Sequence, residues 1–189
     1  MSEDYYKTKE SVAEYIHMAE GFNGQEIIDQ LKIVLTEGSV LLEIGSGPGS
    51  DWEIISKSYD VIGSDNSEEF LNHLTTKFPE GEFLKLDAAT LATEKKFDGI
   101  YSNKVLHHLT DEQLVDSIER QCELLNPSGI VCHSFWEGKD SEFFKGLFVN
   151  YHTEIELASL FQKHFEIITL ETYEEFEAGD SLLLIGRKL

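Results

Sequence analysis

The chain has 189 residues, 41% of them hydrophobic, enough for one domain with a full core and too few for two of ordinary size. Its 36 acidic residues against 15 Lys and Arg give a formal net charge of -21 with no Lys or Arg cluster, which argues against nucleic acid or an anionic membrane surface as partner. The opening MSEDYYKTKE lacks the basic-then-apolar order of a secretory signal, and no apolar run approaches the roughly 20 residues that span a bilayer, so a cytoplasmic protein is expected. Cys122 and Cys132 fit a reducing compartment, form no disulfide framework or metal site by spacing, and are expected in the core.

In chain order, Ser11 to Leu35 reads as one or two helices, opened by a Ser11 cap with Glu14 three residues on. A strand at Val40 to Ile44 runs into three glycines at alternate positions, Gly45, Gly47 and Gly49. Further strands are predicted at Asp60 to Ser64, Glu82 to Leu86, Phe97 to Ser102 and Gly129 to Phe135, with helices between them. Asn66 with Glu69, Thr110 with Gln113, and Thr153 with Glu156 have the form of helix starts. The Thr110 helix carries Leu114, Ile118, Cys122 and Leu125 on one face and stops at "NPSG". At the end, "FEIITLETYEEF" and "SLLLIGRKL", joined by "EAGD", predict an antiparallel hairpin. The fold expected is α/β: a doubly wound, Rossmann-like three-layer sandwich around a mostly parallel seven-stranded sheet, all one domain over 1–189.

In such a sheet, ligands bind beyond the carboxyl ends of the strands. The stretch "VLLEIGSGPGSD" matches a dinucleotide loop at Gly45 and Gly47, but Ser50 stands where G-x-G-x-x-G needs its third glycine, and no Gly-Lys-Ser/Thr follows to make a P-loop. Glu43 at the strand end would repel a pyrophosphate and tolerate a cation. Asp65 closes the second strand about 20 residues after the loop, where a carboxylate can accept both hydroxyls of a ribose, and Asp87 closes the third. Either aspartate could also be an ordinary turn residue. An acidic, glycine-lined, phosphate-free site suits a sulfonium nucleoside better than NAD.

The segments "LLEIGSGPG", "VIGSDNSEEFL", "EFLKLDAATL", "FDGIYSNKVLHHL" and "LLNPSGIVCHSFW", in this order and spacing, resemble the successive motifs of class I S-adenosylmethionine-dependent methyltransferases. The resemblance implies S-adenosyl-L-methionine as cofactor and S-adenosyl-L-homocysteine as product. It implies Gly45, Ser46, Gly47 and Gly49 as the cofactor loop with Glu43 beside it, Asp65 on the ribose, and Asn66, Asp87 and Ala88 around the adenine. Ser102 and Asn103 would lie by the methionine ammonium and the methyl group. It also implies that 1–36 form cap helices and 137–163 a lid over the acceptor.

Methyl transfer from a sulfonium needs positioning more than protein nucleophiles, with a base for some acceptors. Candidate bases are His107, His108, Tyr151 and His152, with His133 a further one; no metal site is expected from the histidine spacing. The fourth strand ends in "SNKV" and not in an Asn-Pro-Pro-Tyr sequence, and the Asp and Asn ligands of catechol-type enzymes find no match, which leaves a small-molecule acceptor. Aromatics supply its walls: Tyr5, Tyr6 and Tyr15 near the N-terminus, and Phe135, Trp136 and Tyr151 further on, while Phe143, Phe144 and Phe148 are expected on an amphipathic helix covering the sheet. Competing readings are an NAD-binding oxidoreductase on a similar fold, an aminopropyl transferase, and a non-catalytic cofactor-binding module.

Overall fold

The computed structural model describes residues 6, 8–144 and 146–189, so Tyr5 lies outside the described residues. Helices α1 (Lys9–Met18) and α2 (Gln25–Val34) precede β1 (Val40–Ile44), α3 (Ser50–Ile55), β2 (Asp60–Asp65), α4 (Glu68–Lys77), β3 (Glu82–Lys85) and β4 (Phe97–Asn103). A single 3-10 turn at Leu106–His108 leads into α5 (Asp111–Leu124) and β5 (Leu125–Trp136). Then come β6 (Ser141–Phe144), β7 (Leu147–Asn150), α6 (Glu154–Phe161), β8 (Phe165–Tyr173) and β9 (Ser181–Lys188).

Seven strands form one sheet in the order β3-β2-β1-β4-β5-β9-β8. The first five are parallel, and β9 runs antiparallel to both β5 and β8. The expected doubly wound sheet with a terminal antiparallel hairpin is borne out. Composition explains why the last strand lies inside: Leu182, Leu183, Leu184 and Ile185 are all buried, whereas β8 is half-polar and suits the edge.

Apolar faces cover both sides of the sheet. Ile28 and Leu31 of α2 pack with Leu41 and Ile185 on one side; Leu114 and Ile118 of α5 and Phe161 of α6 pack with Leu42, Ile100 and Leu184 on the other. Cys132 is buried, and Cys122 packs against the core half-buried.

The capping boxes at Thr110/Gln113 and Thr153/Glu156 form as expected. Two other caps shift. Thr8 caps α1 because the Ser11 hydroxyl donates back to the Thr8 carbonyl, and Ser67 caps α4 because the Asn66 amide turns toward Asp87. The covering helix expected for Phe143, Phe144 and Phe148 is instead the β6–β7 hairpin. Gly146, at φ +82, closes its turn and breaks helical continuity, leaving Phe143 70% and Phe144 59% exposed. Within 137–163 the buried apolar side chains are Val149, Leu157 and Phe161.

Candidate active site

A cleft of about 730 Å³ opens beyond the carboxyl ends of the parallel strands, a volume in the range that holds a cofactor with a small second molecule. On one side it is built by β1, β2 and β3 and the glycine loop. On the other it is built by the ends of β4 and β5, the β7 hairpin and the β8–β9 connection, with α1 and Phe22 along the rim.

The three loop glycines do different work. All have positive φ, which a side chain would strain. A Cβ at Gly47 would meet nothing within 4 Å, so the loop backbone there is open to a ligand; at Gly45 it would strike Val105, and at Gly49 it would strike Leu74 and Phe78 of the α4 region. Gly49 therefore lets α3 start close to α4 and does not line the cleft, whereas Gly45, Ser46 and Gly47 do.

Each of the first three strands delivers a carboxylate. Glu43 is 2% exposed, and burial, with Asp51 and Asp65 nearby, pushes it up to about 8 against a 2.5 Å hydrogen bond donated by Ser46 Oγ. Asp65 accepts the Gly47 N–H at 3.0 Å and the Ser67 N–H at 2.9 Å; burial raises its carboxyl against these bonds. Asp87 accepts the Ala89 N–H at 2.8 Å, and Asn66 Nδ2 reaches toward it at 3.4 Å. Both aspartates thus serve their turns and also face the cleft, with Asn66 and Ala88 between them.

Sequence reasoning missed Asp51, the last residue of "VLLEIGSGPGSD". Its carboxylate accepts the Gly24 N–H at 2.6 Å, the Tyr101 hydroxyl at 2.7 Å and Asn103 Nδ2 at 3.0 Å, joining the start of α2, the end of β4 and the first turn of α3. Asn103 lines the cleft. Ser102, its neighbour on the strand, points the other way: its hydroxyl meets His133 Nδ1 at 2.8 Å, His133 Nε2 meets Gln121 Oε1 at 2.8 Å, Gln121 donates to Ser117, and Ser117 donates to the Ala88 carbonyl. This buried chain joins the floor of β4 to the cleft edge at Ala88. Burial holds His133 down to about 3.

Of the four candidate bases, the structure brings only His108 to the cleft. Its Nδ1 lies 2.7 Å from the Phe148 carbonyl, which can only accept, so Nδ1 carries the hydrogen and Nε2 is left as an acceptor. Burial lowers its pKa. His107 and His152 are buried beside it but away from the cleft lining, and Tyr151 donates to Glu142 on the outer hairpin. Of the expected aromatic walls, Tyr6, Tyr15 and Trp136 line the cleft, while Phe135 is core; Phe148, expected on a covering helix, lines the cleft as well.

Lys104, which no motif flagged, has the left-handed φ of +53 and lines the cleft beyond the end of β4. Its ammonium lies 3.5 Å from the Trp136 ring centroid and donates to the Phe135 carbonyl at 2.9 Å and to Ser181 Oγ at 2.6 Å, with Glu175 Oε2 at 3.4 Å. Burial lowers it to about 8 despite Glu175 and Asp180.

Residues 41–129 match the family model of a methyltransferase domain. Over 104 residues the chain is 30% identical to trans-aconitate 2-methyltransferase of Variovorax paradoxus, covering 53% of this chain and 39% of that one. Over 114 residues it is 27% identical to dTDP-3-amino-3,4,6-trideoxy-alpha-D-glucopyranose N,N-dimethyltransferase of Streptomyces venezuelae, covering 59% and 48%. The chain thus spans less than half the length of either relative. In fold it is similar to Burkholderia thailandensis 1,6-didemethyltoxoflavin-N1-methyltransferase, solved with bound 1,6-didemethyltoxoflavin and S-adenosylhomocysteine, with TM-score 0.73 at 24% identity over 87% of this chain and 77% of that one. Residues 41–129, from β1 through α5 on this strand order, are thus a methyltransferase domain, and the chain is similar to S-adenosylmethionine-dependent methyltransferases.

Proposed function

We propose that the protein transfers a methyl group from S-adenosylmethionine to a small-molecule acceptor. The observation that carries this is the division of one cleft: an open glycine loop with Glu43, Asp65 and Asp87 on one side, and aromatic side chains on the other. The carboxylates of Asp65 and Asp87 would repel a pyrophosphate, whereas a cofactor with a sulfonium, an ammonium and no phosphate fits them and favours ionisation of Glu43 as well. When bound, that cofactor supplies an activated methyl group; the chain supplies binding, alignment and exclusion of water.

In this reading Gly45 and Gly47 let the backbone approach the methionine part and ribose, with Glu43 and Ser46 behind the loop. Asp65 holds the ribose hydroxyls, Asn66, Asp87 and Ala88 frame the adenine, and Asn103 faces the methionine end. Gly49 and Ser102 support this site from outside it. His108, neutral and with Nε2 as acceptor, is the residue suited to take a proton from the acceptor. The segment 1–36 acts as cap through Tyr6, Tyr15 and Met18, and 137–163 as lid through Leu147 and Phe148, which reach the cleft.

Titration calorimetry with S-adenosylmethionine, S-adenosylhomocysteine and NAD tests the cofactor. Micromolar binding of the first two and none of NAD is expected; NAD binding alone would overturn the reading. Formation of S-adenosylhomocysteine with an acceptor then separates catalysis from a cofactor-binding module.

A further inference from the structure

Glu175 sits on the β8–β9 connection and lines the acceptor side of the cleft. Its backbone is fixed: Asp180 accepts the N–H groups of Glu175, Phe176 and Glu177 at 2.9, 2.9 and 3.0 Å. Its side chain is fixed as well, because the Tyr173 hydroxyl donates to Oε2 at 2.9 Å and the Lys104 ammonium lies 3.4 Å from the same atom. Oε1 is left without a partner among the described residues.

Aromatic rings line the same part of the cleft. Phe176 stacks on Trp136 at 5.9 Å between centroids, and Phe22, arriving from the α1–α2 loop, meets Phe176 edge-on at 5.6 Å. Phe22 and Phe176 are both more than half exposed, so the outer faces of this ring pair offer apolar surface to a small molecule in the cleft.

Among the described residues the cleft offers no matching side chain for an anion. Of the two lysines that line it, Lys104 is occupied by Phe135, Ser181 and Glu175, and Lys85 is paired with Glu68 at 2.6 Å. The only two arginines in the chain lie elsewhere, Arg120 with Glu94 and Glu123 and Arg187 with Glu166. A carboxylate-bearing acceptor would therefore enter a cleft lined by Glu43, Asp51, Asp65, Asp87 and Glu175 with no unpaired cation among the described residues to receive it.

We propose that the methyl acceptor is a protonatable amine on a small, partly apolar molecule, held by Glu175 Oε1 against the Phe22 and Phe176 rings; this rests on the methyltransferase reading above. A fixed carboxylate with aromatic walls attracts an ammonium by charge and by the ring faces together. For transfer, the ammonium gives up one proton, directly or through water, to His108 Nε2, and the nitrogen lone pair then forms the C–N bond as the S–CH₃ bond breaks. The bonding pair returns to sulfur, yielding the thioether, and the N-methylammonium releases any further proton to solvent.

The test uses benzylamine and benzoate, near-isosteres of opposite charge. Affinity of the wild-type protein for S-adenosylhomocysteine is measured first, and its absence sinks the methyltransferase reading itself. With S-adenosylhomocysteine bound, benzylamine should bind at least tenfold more tightly than benzoate, and Glu175→Gln should erase that preference. Binding of benzoate as tight as that of benzylamine, no measurable binding of either, or an unchanged preference in Glu175→Gln would overturn the amine inference alone. Tyr173→Phe, which removes a donor to Oε2 and keeps the carboxylate, should retain the preference, and wild-type affinity of Glu175→Gln for S-adenosylhomocysteine shows that its loss of preference is not a folding defect.

Discussion

Asp51 accepts Asn103 Nδ2 at 3.0 Å and so ties the first turn after the glycine loop to the tip of the neighbouring strand β4. The same carboxylate receives the Tyr101 hydroxyl, which is fully buried, and the Gly24 N–H at the start of α2. Asp51→Ala would leave a buried hydroxyl and a helix-start N–H without their acceptor, at a cost of about 2 to 4 kcal/mol. It should also loosen α2 and weaken cofactor binding, because Asn103 loses its anchor. Gly24→Ala attacks the same hub by space alone, since a Cβ there would fall on the Tyr101 hydroxyl. Denaturant midpoints of both variants check this; a wild-type midpoint for Asp51→Ala would mean the hub is dispensable.

The loop glycines separate binding from folding. Gly47→Ala meets only the backbone strain of a left-handed residue, about 1 to 2 kcal/mol, and puts a methyl group into the open loop, so cofactor affinity should fall by more than tenfold with a modest loss of stability. Gly49→Ala drives a methyl group into Leu74 and Phe78 as well and should lose more stability than Gly47→Ala while affecting cofactor affinity less. Thermal melts and calorimetry on the two variants measure both quantities; the reverse ranking would reassign the glycine that meets the cofactor.

How much of this was legible in the sequence depended on whether the signal was local. Strand ends with a carboxylate, the glycine turn and the Thr110 and Thr153 boxes are set by neighbours in the chain, and they stand where the residues predict. Of the residues that were not read, Gly24, Asp51 and Lys104 act through partners 27 to 77 positions away, and Glu175 joins its near neighbours Tyr173 and Asp180 to Lys104 at the end of β4. Glu175 in particular lies in the acidic stretch "EEFEAGD", where it looks like any solvated charge. Phe143 and Phe144 misled in the opposite way: paired aromatics in a charged stretch suggest a covering helix face, but Gly146 turns the chain back and leaves them in solvent.

Glu43 links cofactor binding to pH. Held at about 8, it is largely protonated at pH 7 in the free protein. A cationic cofactor beside it favours the carboxylate, so binding should release up to one proton and affinity should rise with pH up to about 8, by at most tenfold per pH unit. Calorimetry in buffers of different ionisation enthalpy reads the proton directly, and Glu43→Gln should abolish the release. S-adenosylhomocysteine, which lacks the sulfonium charge, should release less; equal release for both ligands would place Glu43 away from the sulfur.

The buried histidines make a prediction about stability in acid. Burial holds His133 at about 3, and burial, with His108, Lys104 and His152 nearby, holds His107 well below its ordinary value. Both are neutral in the folded chain, whereas an unfolded histidine takes up a proton near pH 6.5. Between about 6.5 and 3 the unfolded state therefore binds more protons than the folded state, and stability falls as pH drops, by up to about 1.4 kcal/mol per pH unit for His133 alone. The loss should begin below pH 6.5 and be absent between 7 and 8 from this source. His133→Gln removes the titrating ring and leaves an amide facing Ser102 and Gln121, so its urea midpoint should start lower than that of the wild type at pH 7.5 and fall less steeply toward pH 5. Parallel slopes for the two proteins would place the acid sensitivity in other groups.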